Sequence, residues 1–166
     1  MKKIMLAALA AFLLSMPAQA QDVLKELMKT NTAICKDSTQ SLETRRIAAF
    51  KVDELTYMRS RVAGDILSNP NDLKLYNDRI KLLNEQSLAM NQYITAYQSR
   101  MKDCKDKAIV NSYFIKATLD CPLFNDKDAE LVRSYVDRND FPVRFALDCD
   151  WKKALSIMRN IDWSQF

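Results

Sequence analysis

The chain has 166 residues, with four Cys, one Gly, no His and a formal net charge of +4. Without His the Ser-His-Asp and Cys-His nucleophile arrangements and most zinc sites are excluded, and a single Gly leaves no phosphate-cradling loop and no dinucleotide fingerprint. The small, scattered basic surplus makes nucleic acid a poor partner.

Lys2 and Lys3 precede an apolar run over 4–16 and then Pro17-Ala18-Gln19-Ala20. A basic start, a short apolar stretch and a small-residue cleavage site are the marks of a secretory signal peptide over 1–20, too short for a stable membrane span. An N-terminal membrane anchor is the alternative. Cleavage after Ala20 would leave one domain over 21–166 and, with Lys2 and Lys3 gone, a charge of +2. The expected location is the periplasm or the cell exterior, with no membrane span after cleavage.

Asp22 can cap a short helix over 22–30, with Leu24, Leu27 and Met28 on one face, and Thr30-Asn31-Thr32 favours a break. A long helix is expected over about 41–67, capped from Ser38, Thr39 or Ser41. Leu42, Ala48, Val52, Leu55, Met58, Val62 and Ile66 form its buried row. Arg45, Arg46, Lys51, Asp53, Glu54, Arg59 and Arg61 mostly face water. Gly64 marks either a close approach of another backbone or fraying of the last turn. Ser68-Asn69-Pro70-Asn71 ends this helix and starts the next.

Residues 71–104 carry the strongest periodic signal. Leu73, Tyr76, Ile80, Leu83, Ser87, Met90, Ile94, Tyr97, Met101 and Cys104 follow alternating steps of 3 and 4, and only Ser87 is neither apolar nor Cys. This is one long amphipathic helix. Leu82, Ala89 and Ala96 widen the stripe beyond a two-stranded seam, which argues for a bundle. The two long rows match as an antiparallel hairpin, because facing pairs such as Val62 with Tyr76 and Leu55 with Leu83 keep a constant sum of residue numbers. Cys35 and Cys104 fall on the same scale. In an oxidising compartment a Cys35–Cys104 disulfide is therefore expected to close the hairpin, leaving Cys121 to pair with Cys149. Closing a loop of about 70 residues would stabilise by roughly 4 kcal/mol. Four free buried thiols are the alternative.

The heptad fails after Cys104, which predicts a break near 103–107 and a third helix over about 106–119 capped by Asp106. A continuous helix through to 119 is the alternative. Cys121-Pro122 stops it, and Asn125 can cap a helix over about 126–138. Phe141, Val143, Phe145 and Leu147 alternate like a strand with no second strand to pair, so an extended arm on the bundle is expected. A last helix begins at Asp148 or Asp150 and carries Trp151, Leu155, Met158 and Ile161.

Two acidic groups invite chemistry. Asn125, Asp126, Asp128 and Glu130 resemble half of a calcium loop, but the required Gly and distal Glu are missing, so helix capping explains them better and no metal or cofactor is implied. Asp148 and Asp150 beside Trp151 could do acid/base work on a glycan. Two positions apart on a helix, they point to different sides, which favours a cap and a first-turn acid. Tyr93, Asp148, Asp150, Trp151 and Trp163 are the candidate contacts for a ligand or partner, with Trp163 the best candidate for an exposed one.

The segments Ala48-Ala49-Phe50-Lys51-Val52-Asp53, Glu85-Gln86-Ser87-Leu88-Ala89-Met90-Asn91, Pro122-Leu123-Phe124-Asn125-Asp126 and Arg144-Phe145-Ala146-Leu147-Asp148 resemble a group of small exported helical proteins of unknown activity from Gram-negative anaerobes. The likeness spans most of the mature chain. It implies an exported all-helical protein and transfers no catalytic residue.

The sequence thus reads as an all-α, disulfide-stapled helical bundle built on a long hairpin. Its expected role is that of an exported, non-catalytic binding or structural protein, with an unknown protein or envelope component as partner. One alternative is a His-free hydrolase of cell-envelope glycan using Asp148, Asp150 or Asp120. Another is a carrier of apolar ligands in an internal cavity lined by Met58, Met90, Met101 and the tyrosines.

Overall fold

The computed structural model describes residues 18–166, with side chains from residue 23 onward. The expected signal peptide therefore lies outside the described residues except for its last three positions. Six α-helices occur among the described residues: α1 (Ala18–Lys36), α2 (Leu42–Ser68), α3 (Leu73–Asp103), α4 (Lys107–Leu119), α5 (Ala129–Arg133) and α6 (Trp151–Arg159). A 3-10 turn, Trp163–Gln165, follows, and no strand is present among these residues. None of the described helices is long and apolar enough to cross a membrane.

Side-chain caps start five of the helices. The side chains of Ser41, Asp72, Asp106, Asp128 and Asp150 accept from the backbone N–H groups of Thr44, Leu75, Ile109, Leu131 and Lys153. Each satisfies a donor that a helix start leaves without an intrahelical partner. The expected break near 103–107 is present, with Asp106 as the cap beyond it.

α1 corrects the expected short helix. It runs unbroken through Thr30-Asn31-Thr32, because the buried Asn31 spends its Nδ2 donor on Leu27 O at 2.8 Å, inside its own helix. α1 then packs on α2 and more lightly on α3, α2 and α3 pack across the link 69–72, and α6 packs on α3 and α4.

The core is aromatic. Phe50, Tyr93, Phe145 and Trp151 are all fully buried. Tyr93 meets Phe145 at 5.3 Å and Trp151 at 5.4 Å edge-on, and Phe50 meets Trp151 at 6.2 Å. Edge-to-face packing sets positive ring edges against negative ring faces. The expected arm lies within this core rather than on it. Val143, Phe145, Ala146 and Leu147 are buried. Ala146 N–H donates to Thr118 Oγ1 at 3.1 Å, and Leu147 N–H donates to Val132 O at 3.0 Å.

Three expectations fail at helix ends. Leu42 and Leu73, assigned to buried rows, are 60% and 76% exposed. Each sits in the first turn of its helix, beyond the reach of the neighbours that cover the interior rows. The helix expected over 126–138 shrinks to α5, whose cap is Asp128, while Asn125 takes a left-handed φ of 52°.

The disulfide staple is also corrected. All four cysteines are free thiols, and none lies at bonding distance from another. The constant-sum rule extended the hairpin beyond the start of α2, but the chain reverses there. Cys35 therefore rides on α1, with its Sγ 3.7 Å from Arg45 O. Cys104 caps the far end of α3 beside Arg100 and Trp163. Cys121 and Cys149 are both buried, and Asp150, next to Cys149, donates its N–H to Cys121 O at 2.6 Å, yet the two sulfurs are unbonded.

Candidate functional site

The expected contact residues are mostly interior. Tyr93 and Trp151 are fully buried, and Trp163 is buried as well. Tyr93 Oη–H donates to Phe114 O at 2.6 Å, and Trp163 Nε1–H donates to Met158 O at 3.0 Å. Trp163 stacks on Phe114 at 5.7 Å, with the Arg100 guanidinium over its other neighbourhood at 5.5 Å. Tyr93 and Trp151 are enclosed, whereas Trp163, though buried, lines a cleft with Arg100, Cys104 and Phe166.

Asp148 and Asp150 are committed to structure. The buried Asp148 carboxylate accepts three backbone N–H bonds, from Leu123 at 2.9 Å, Phe124 at 2.7 Å and Asp126 at 2.8 Å. Charged acceptors make the stronger hydrogen bonds. This clamp winds the 122–126 loop around one side chain and accounts for the left-handed Asn125, a conformation that Asn tolerates better than most residues. Asp150 caps α6 and also accepts from Gln86 Nε2 at 2.9 Å. Gln86 Oε1 in turn accepts from Trp151 N–H at 2.7 Å. The α6 start is thus fastened to the middle of α3 by one buried amide.

Behind this fastening lies Glu54, assigned to the solvent face by its sequence neighbours but 0% exposed. Its Oε1 accepts from Trp151 Nε1–H at 2.8 Å, and its Oε2 has no hydrogen-bond partner. Burial, and then the nearby Asp148 carboxylate, push its carboxyl well above the usual range, against the Trp151 hydrogen bond.

The open polar site is elsewhere. A cleft of about 370 Å³ lies between α2, α3 and the clamped loop. α2 supplies Ser60, Arg61, Gly64 and Asp65 to its wall. α3 contributes Arg79 and Leu82, and the loop contributes Leu123 and Phe124. Arg61 pairs with the Asp126 carboxylate and lies over the Tyr57 ring at 5.3 Å. Tyr57 Oη–H donates to the same carboxylate at 3.0 Å, and burial, followed by the Asp148 charge, leaves this phenol pushed up to about 12. Arg79 Nε lies 2.9 Å from Asp65 Oδ2. Its N–H nevertheless has no partner in hydrogen-bond geometry. Charge proximity holds that pair, with the buried Nε set against the Asp65 carboxylate.

Met58 and Met90 are fully buried in the packed aromatic and aliphatic core, and Met101 packs partly exposed against it. Among the described residues no cluster of three or more Cys, Asp or Glu could hold a metal ion.

The cleft residues carried little sequence signal. Arg61 read as solvent-facing, Arg79 was not singled out, and they come from different helices. Gly64 was the one visible cue, and the close approach proposed for it is absent: a Cβ built there meets nothing within 4 Å. Comparison with protein-family models, curated proteins and solved structures returns no match.

Proposed function

We propose that this chain is an exported, non-catalytic binding protein, a helical bundle built on the α2–α3 hairpin, whose ligand site is the Arg61/Arg79 cleft. One observation carries the binding half. Asp148 spends both carboxylate oxygens on internal bonds and Asp150 caps α6 and holds Gln86, whereas two half-exposed guanidinium groups meet apolar side chains in a cleft of ligand size. The basic-apolar-small pattern over 1–20 and the resemblance to exported helical proteins support the export half.

The four unbonded thiols do not support the export half, which rests on the sequence alone. Cys121 and Cys149 are buried, and burial pushes both thiols up, which keeps them from the reactive thiolate form. Expression of the full chain in a Gram-negative host tests export. A mature protein beginning at Gln21 in the osmotic-shock fraction is expected, and an unprocessed cytoplasmic chain overturns it. Purified mature protein is expected to release no soluble fragments from cell-wall glycan. Release that vanishes in an Asp148→Asn, Asp150→Asn double variant would restore the hydrolase reading.

A further inference from the structure

Gly64 is the single glycine of the chain, and it lies inside α2. Gly weakens a helix interior relative to Ala, because it has more backbone freedom to lose. Two ordinary reasons for keeping it are absent. Its φ is not positive, and no atom lies within 4 Å of a Cβ placed on it, so neither backbone conformation nor packing demands Gly. It lines the cleft, and a side chain there would project into open space at the cleft wall.

We propose, building on the binding reading above, that Gly64 keeps the cleft open for a monocarboxylate carried on an apolar body. The chemistry of the wall selects that class. Arg61 and Arg79 are 37% and 36% exposed, each with a guanidinium of five N–H donors and only one acid partner. A planar guanidinium matches a carboxylate with two parallel bonds. Asp65 lies at the same wall, so a dianionic phosphate would meet repulsion that a single negative charge meets less strongly. Leu82, Leu123 and Phe124 supply the apolar face for the body of the ligand. The Asp148 clamp fixes the loop that carries two of them, so this face is formed before the ligand arrives.

Two sources share this chemistry, a peptide C-terminus with an apolar last residue and a short fatty acid. The test is isothermal calorimetry on the mature protein with N-acetyl-leucyl-phenylalanine, its C-terminal amide, and octanoate. Saturable binding of at least one carboxylate is expected. If the peptide acid is the ligand, its amide binds at least tenfold more weakly. If octanoate alone binds, the fatty acid is the source. Gly64→Trp should melt no lower than the wild type and weaken the bound carboxylate at least tenfold, and Arg79→Met should do the same to affinity. No saturable binding of either carboxylate overturns the ligand class, as does equal binding of peptide acid and amide. Undiminished binding by a folded Gly64→Trp protein overturns the site. Export is read separately from processing at Gln21, so a processed chain that binds neither probe sinks this inference alone, and a binding chain that stays unprocessed sinks only the export reading.

Discussion

Burial of Glu54 beside Trp151 and Asp148 gives the protein a pH dependence of definite sign. The folded carboxyl holds its proton above the ordinary value of 4.5, so the native state binds more protons than the unfolded chain over that interval. Stability is then fully present below about 4.5 and falls as pH rises through the raised folded value. Urea midpoints at pH 5 and pH 8.5 should show the loss. Glu54→Gln keeps an acceptor for the Trp151 indole N–H and removes the charge, so its midpoints should change less with pH; parallel curves would refute the assignment. Asp148 is a carboxylate whose acceptor capacity the fold consumes in hydrogen bonds. Asp148→Asn keeps the size but turns an amide N–H₂ toward a backbone donor, and should cost roughly 2–4 kcal/mol in chemical denaturation. A loss under 1 kcal/mol would mean that the clamp contributes little.

At the level of elements, the caps are local and testable. Asp150→Ala removes both the α6 cap and the Gln86 contact, and about 1–2 kcal/mol of stability should go with them. Gly64→Ala should raise stability by about 0.5–1 kcal/mol, because nothing obstructs the added methyl; a lower melting temperature would show a constraint on the backbone there. The long elements were legible because α2 and α3 repeat their apolar residues over many turns, and Asp106 was legible because a cap acts on the residues just after it. What stayed hidden depends on partners far along the chain. Glu54 reads as one more acid on a charged helix, and only Trp151, 97 residues away, makes it interior. The helix expected over 126–138 starts late because Asp148 takes the N–H groups of Leu123, Phe124 and Asp126 and holds the chain as a loop up to the Asp128 cap. The cleft shares this origin, since Arg61 and Arg79 meet only through the α2–α3 packing.

Taken whole, the molecule is held by ring packing and buried polar fastenings rather than by covalent cross-links. Cys121 and Cys149 lie in the interior, whereas Cys35 and Cys104 are half-buried on separate helices. A thiol reagent should therefore label all four cysteines in denaturant, and in the native protein should reach Cys35 and Cys104 well before Cys121 and Cys149. Mass spectrometry of tryptic peptides after timed alkylation separates the two classes. Equal rates at all four sites would mean that the core opens far more readily than its packing implies. The order of assembly follows from the same arrangement. Gln86 joins Asp150 across 64 residues, so α6 can lock only after the middle of α3 has formed.

The two indoles of the chain also make it optically addressable. Trp151 sits dry in the core with its N–H on a carboxyl group, and Trp163 sits beside a guanidinium at the far end of α3. Replacing Trp163 with Phe would leave one fluorophore whose emission colour reports wetting of the centre, and whose intensity follows the protonation of its neighbour. The terminal region could then be watched in the complementary Trp151→Phe protein, so that loosening of the end and opening of the middle are read from two single-indole proteins.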